Sequence, residues 1–188
     1  MDDSSHTPVS TSDISYSVQE LAGCLDVAEL VARLDEEVNR AGRQGGQLAC
    51  MMVGLHDLPH VAAEHGPQVL DDLLAHAGRA LTREFRRFDR VAYLGGGLFA
   101  VVLPGAGEAA AEAVARRALM RLHALKLEVD GERRPVSISI GVASWQPPET
   151  APELFAEARR ALDARGLYDG GSTDADVSAA GIRGPSPS

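Results

Sequence analysis

Three consecutive glycines, Gly95, Gly96 and Gly97, stand between two apolar runs, RVAYL (90–94) and LFAVVLP (98–104). No other feature narrows the fold of this chain as much. Two β-type runs joined by a short glycine turn predict an antiparallel hairpin, since glycine alone enters left-handed backbone at no steric cost. Turns of this kind also bring backbone close to a phosphate. A phosphate site that does chemistry needs carboxylates to hold a metal, and none follows these glycines. The residues therefore read either as an active-site hairpin without its acids or as a turn that never had any.

The patterns around the hairpin say what covers it. Val27, Leu30, Val31, Leu34, Val38 and Ala41 fall at helical spacing within 17–43, and Gly42, Gly45 and Gly46 stop the run. QLACMMVGL (47–55) is continuously apolar, as in a strand buried on both faces. Pro59 suits a helix start, and Leu70, Leu74, Ala77 and Leu81 mark one face of a second helix. The segment 107–125 is an alanine-rich helix, and 126–144 reads as a strand, an Asp-Gly turn and a second strand with alternating Val136, Ile138 and Ile140. A last helix is expected over 152–165. Strands and helices mixed around a central hairpin predict an α+β fold, an α/β sandwich with helices on a mostly antiparallel sheet. The polar ends, 1–14 and 169–188, predict disordered tails around one domain at 15–168.

Composition excludes several functions. With 18 basic against 27 acidic residues the net charge is −9, which argues against general binding to nucleic acid or anionic membranes. No apolar run approaches the roughly 18 residues of a membrane span, and the start of the chain has no signal-peptide core, so a cytoplasmic location is expected. Cys24 and Cys50 lack metal-ligand spacing and read as small buried apolar residues. His56 and His60 are four apart with His65 nearby, but Pro59 lies between them and no carboxylate or cysteine completes a set. They read as a solvated loop, and no metal or cofactor is expected.

At this point the chain resembles the GGDEF domain, the bacterial diguanylate cyclase family. LGGGLFAVVLP sits where that family has its signature and a following strand ending in Pro; VSISIGVAS resembles its late Ser-Ile-Gly-Val strand; HVAAEHGPQVLDDLLAHAGRAL resembles the segment before the hairpin. The resemblance covers about residues 26 to 168. It implies a central mostly antiparallel sheet flanked by helices, and a chemistry that joins two GTP molecules across a dimer with a divalent metal, so a homodimer is among the expected states. The signature itself reads Gly95-Gly96-Gly97-Leu98-Phe99, so the two acids that would bind metal and assist proton removal fall at Gly97 and Leu98. The metal-binding Asp of the first strand falls at Gly54, a triphosphate lysine at Pro59, a guanine-reading Asn near Ala62 and a last-helix lysine near Gly166; only Asp71 matches a nucleotide-reading position. Phosphoryl transfer is mostly positioning and electrostatic stabilisation, and those are the parts without counterparts here.

One further motif carries over. The resemblance implies that an RxxD sequence five residues ahead of the glycines binds cyclic di-GMP, and Arg86 and Asp89 have that form, with Arg117 or Arg116 of the following helix as the second arginine and Arg117 favoured. Guanidinium can pair bidentately with guanine or with phosphate, and a carboxylate can accept from guanine N–H groups. A second reading stands beside it: an arginine-rich helix end complements the helix dipole, and Asp89 caps the next turn. The expected function is a catalytically inactive signalling module that binds cyclic di-GMP at Arg86, Asp89 and Arg117 and acts through an unidentified signalling protein. The alternative is a nucleotide-independent adaptor. A residual nucleotide-triphosphate binder using the hairpin and Asp71 ranks third.

Overall fold

The computed structural model of the chain describes residues 23–124, 126–129, 132–135 and 137–164. Within them the order is α1 (Val27–Gln44), β1 (Leu48–Leu55), α2 (Leu58–His65), α3 (Pro67–Glu84), β2 (Arg90–Gly95), β3 (Leu98–Pro104), α4 (Glu108–His123), β4 (Lys126–Val129), β5 (Glu132–Pro135), β6 (Ile138–Ser144) and α5 (Ala151–Ala164). Four strands form one antiparallel sheet in the order β2-β3-β1-β6. The α+β expectation therefore holds. The tails 1–14 and 169–188, the turn at 130–131 and Val136 lie outside the described residues.

β1 is the central strand and is buried along its whole length. Successive side chains of a strand point to opposite faces. Ala49, Met51, Val53 and Leu55 pack with Leu74, Ala77 and Leu81 of α3 and Ala111, Ala115 and Ala118 of α4. Leu48, Cys50 and Met52 pack with Leu30 and Leu34 of α1 and Leu154, Ala158 and Leu162 of α5. A strand covered on both faces has no use for polar alternation, which is why 48–55 is apolar throughout. Cys50 is one of these side chains; burial pushes its thiol up to about 12, so it is a packing residue and not a nucleophile.

Three local expectations are corrected. The helix expected over 17–43 does not run unbroken: residues 17–22 lie outside the described residues, 23–26 are not helical, and α1 begins at Val27. Leu25 is held extended beside Ala92, donating to Val91 O and accepting from Tyr93 N, and Asp26 then caps the helix in a reciprocal box with Glu29. Its buried stripe is narrower than the spacing predicts: Leu30, Leu34 and Ala41 are inside, whereas Val27 and Val31 are 45% and 48% exposed. The segment before the hairpin is two helices, not one, broken at Gly66, whose φ of 88° ends α2 and starts α3. The stretch 126–144 holds three strands: β4 and β5 form a separate ribbon, and β6 joins the main sheet beside β1. Pro135 closes β5, having no N–H to carry a ladder onward.

The cap makes a clean test of this boundary. Asp26→Ala removes the acceptor for Glu29 N at 2.7 Å and leaves the Glu29 carboxylate without its reciprocal box. A loss of about 1 kcal/mol is expected, read as a lower urea midpoint with an unchanged slope. An unchanged midpoint would mean the helix starts elsewhere.

Candidate functional site

The glycine hairpin is built as its sequence demands. β2 and β3 are antiparallel, with Gly95 opposite Leu98, and Gly95, Gly96 and Gly97 take φ values of 92°, 58° and 79°. Gly96 and Gly97 are the two residues of the turn, and the two-residue loops that match strand twist require positive φ. Gly97 is further locked in place. Its carbonyl accepts from Leu55 N at 2.9 Å, and a Cβ there would lie 2.3 Å from Leu58 Cδ1 and 2.9 Å from Leu55 O. Below it, Tyr93 packs on Phe99 with ring centroids 4.9 Å apart, and its hydroxyl lies 3.4 Å from Gly97 N. Burial holds the Tyr93 hydroxyl above the usual phenol range. The Asp71 charge pushes it the same way, and a hydrogen bond with Gly97 opposes both.

The hairpin forms one wall of a cleft of about 490 Å³. The end of β1 forms the floor. There Gly54 stands opposite Ser139 of β6, and His56 turns back over it so that Nε2 lies 2.7 Å from Ser139 Oγ. A Cβ on Gly54 would sit 3.1 Å from that hydroxyl and 3.3 Å from the imidazole nitrogen, so any side chain there would crowd the pair. Arg159 and Asp163 of α5 close the other side, with Arg159 Nε 3.3 Å from Asp163 Oδ1.

These walls do not fit a divalent metal. Hard cations take several oxygen ligands. Asp163 is the one carboxylate among the described residues lining the cleft, and it is exposed and paired with Arg159. The space above Gly54 is filled by the His56–Ser139 pair, and Gly97 has no room for a side chain. Among the described residues, no three His, Cys, Asp or Glu side chains converge on a point.

The histidines are the main correction at the site. His56 is no solvated loop residue: it is half-buried and bonded to Ser139. His60 and His65 turn instead to Glu64, at 3.1 and 3.4 Å. Sequence reasoning missed Ser139, Arg159 and Asp163 altogether. The available signal was Gly54, a lone glycine in a fully buried strand, which marks a close approach by a neighbour.

The RxxD residues lie in the turn between α3 and β2. Asp89 Oδ2 accepts from Arg86 N at 2.8 Å, and Asp89 N donates to Arg86 O at 3.0 Å. The capping role weighed from the sequence is thus one thing Asp89 does. Arg90 Nη1 ties the same turn by donating to Arg87 O at 2.6 Å. The Arg86 side chain is exposed, with no hydrogen bond or ion pair among the described residues. Arg117 Nε donates to Glu84 Oε1 at 3.2 Å, which ties α4 to the last residue of α3, two positions before Arg86. Arg116 is exposed. The motif residues Gly95 to Leu98 are in the other place, at the cleft, with Leu98 half-buried on the face packed by α1 and α5, whereas Phe99 is fully buried in the core on the opposite face. No helix among the described residues is long and apolar enough to cross a membrane.

Comparison with known proteins agrees with this architecture. Residues 26–166 match the family described as diguanylate cyclase, GGDEF domain. The chain is 27% identical over 142 residues to diguanylate cyclase DgcP of Pseudomonas aeruginosa, an alignment that takes in 76% of this chain and 21% of DgcP. The chain therefore spans about a fifth of the length of that relative. Its fold superposes with a TM-score of 0.71 on diguanylate cyclase SiaD of Pseudomonas aeruginosa, solved in complex with its activator SiaC, at 27% identity over 80% of this chain and 60% of that one. It also superposes at 0.70 on a sensory box/GGDEF family protein from Caulobacter crescentus, at 29% identity over 77% of this chain and 94% of that one. A match over residues 26–166 takes in well over half of the sequence, and the chain belongs to the diguanylate cyclase GGDEF domain family.

Proposed function

We propose that this domain does not run the cyclase reaction and instead binds cyclic di-GMP through Arg86, Asp89 and Arg117, passing the bound state to a protein partner. Support for the first half comes from the cleft. Gly97 and Leu98 occupy the positions of the two acids, Gly54 that of the strand Asp, and Pro59 that of the triphosphate lysine. Without them a polyphosphate lacks the charges that would neutralise and orient it.

The observation that carries the second half is the free Arg86 guanidinium. It stands exposed on a turn that its own backbone and Asp89 hold rigid, with Arg117 fastened to the same end of α3 through Glu84. A fixed turn spends little ordering entropy on capturing a ligand. The Arg117–Glu84 pair is solvent-exposed, with the Arg117 side chain at 55%, so a ligand phosphate can take the guanidinium at small cost. That a partner relays the state is supported by SiaD, a relative solved with an activator protein bound.

Calorimetric titration decides between this reading and the adaptor. Cyclic di-GMP is expected to bind the intact chain, and Arg86→Ala to weaken binding at least tenfold, about 1.4 kcal/mol or more for a lost bidentate charged contact. GTP with magnesium is expected to give neither cyclic product nor more than weak heat. A folded protein that shows no heat with cyclic di-GMP leaves the nucleotide-independent adaptor. Equal affinity in the Arg86→Ala protein would remove the turn from the site.

A further inference from the structure

The His56–Ser139 pair is an organised feature of the cleft floor. Among the described residues Ser139 is the buried polar side chain of the core, 4% exposed, and it lies in the floor of the cleft. Its hydroxyl has His56 Nε2 as its hydrogen-bond partner, at 2.7 Å. In the tautomer that carries its one N–H on Nδ1, His56 Nε2 accepts from the Ser139 hydroxyl. That is the geometry of a hydroxyl nucleophile with its base already in place. Position 54, which carries no side chain, leaves the pair its full space. Across the cleft, Arg159 is held by an exposed pair with Asp163, with side chains 52% and 63% exposed, so a substrate anion can displace it.

We propose that Ser139 and His56 form a nucleophile–base pair for the hydrolysis of small esters that carry an anionic group, with Arg159 holding that group. Ser139 Oγ attacks the ester carbonyl carbon while its proton passes to His56 Nε2. The bond to the leaving alcohol breaks, and the alcohol takes that proton from the imidazolium. Water, losing its proton to the same nitrogen, attacks the acyl-serine, releases the carboxylic acid and returns the hydroxyl to Ser139. No metal and no redox partner enter, and atoms and charge balance. No carboxylate among the described residues bonds His56 Nδ1, so the pair is a dyad and slow turnover is expected. The proposal does not rest on cyclic di-GMP binding, which belongs to the turn at Arg86 and Asp89.

The test uses a fluorophosphonate probe on the intact chain, with the labelled residue mapped by mass spectrometry, and p-nitrophenyl succinate as an anionic ester beside p-nitrophenyl acetate as a neutral one. Labelling at Ser139 is expected, lost in Ser139→Ala and reduced at least tenfold in His56→Gln, which keeps a polar group near Ser139 but removes the base. Arg159→Ala is expected to raise KM for the succinate at least tenfold more than for the acetate. Thermal melts establish that each variant is folded; should Ser139→Ala fail to fold, the mapped position in the unaltered chain still decides. No label on the folded chain, or label at another residue, overturns the proposal. Equal labelling of His56→Gln overturns the role of the base.

Discussion

Gly141→Ala is expected to lower the melting temperature by roughly 10 °C, equivalent to about 3 kcal/mol for a chain of this size. The reason is a backbone-on-backbone contact. Gly141 lies in β6 opposite Met52 of β1, on the face covered by α5. A Cβ there would fall 2.0 Å from Leu162 N, 2.5 Å from Leu162 Cα and 2.6 Å from Ala158 O. None of these atoms is the end of a side chain that can swing away. The helix must lift, and Leu154, Ala158 and Leu162 lift with it out of the core they share with Met52 and Ala143. Close-packed interiors transmit such a displacement and do not absorb it. Domains of this kind are stable by only about 5–15 kcal/mol, so a β-branched substitution at the same place is expected to prevent folding. A melting temperature within about 2 °C of the unaltered chain would show that α5 rides on β6 more loosely than this contact requires.

How much of this was legible in the sequence depends on the reach of each signal. The hairpin at Gly95–Gly97 and the buried strand at 48–55 were readable, because strand period and glycine freedom are local properties. The absence of acids at Gly97 and Leu98 was readable for the same reason. The break between β5 and β6 was not: Val136, Ile138 and Ile140 keep an even alternation straight through it, and pairing partners, not pattern, separate the strands. Nor was the His56–Ser139 pair. It joins residues 83 positions apart and depends on the register of β6 against β1, which puts Ser139 opposite Gly54. A one-residue slip of that register would turn Ser139 to the other face. At α1 the apolar period was right but overstated the contact, because a helix that touches a sheet along a narrow line buries Leu30 and Leu34 and leaves Val27 and Val31 half outside.

The double change Gly97→Asp with Leu98→Glu, which writes the acids back into the hairpin, is expected to yield no cyclic di-GMP from GTP and magnesium and to cost stability as well. The backbone of Gly97 has φ of 79°, a conformation that L side chains rarely adopt. Its new Cβ would meet the Leu58 side chain, which can move, and the Leu55 carbonyl at 2.9 Å, which is main chain of β1 and cannot swing aside. Strain of this kind costs on the order of 1–3 kcal/mol, with the Leu58 clash in addition. The acids would then face a floor with no third carboxylate for a shared metal, since Gly54 has no side chain and the space over it is taken by His56 and Ser139. Adding Gly54→Asp as a third change is expected to break that pair before it builds a metal site, because its Cβ would lie 3.1 Å from Ser139 Oγ. Chromatographic detection of product after overnight incubation is the measurement, with a thermal melt alongside. Turnover by the double variant would mean that the cleft still holds the geometry of the cyclase and that two carboxylates were all it lacked. No turnover from a folded variant is the result that the proposed inactivity requires. On the proposed reading the hairpin acids alone do not supply the reaction, because His56 and Ser139 occupy the space over Gly54.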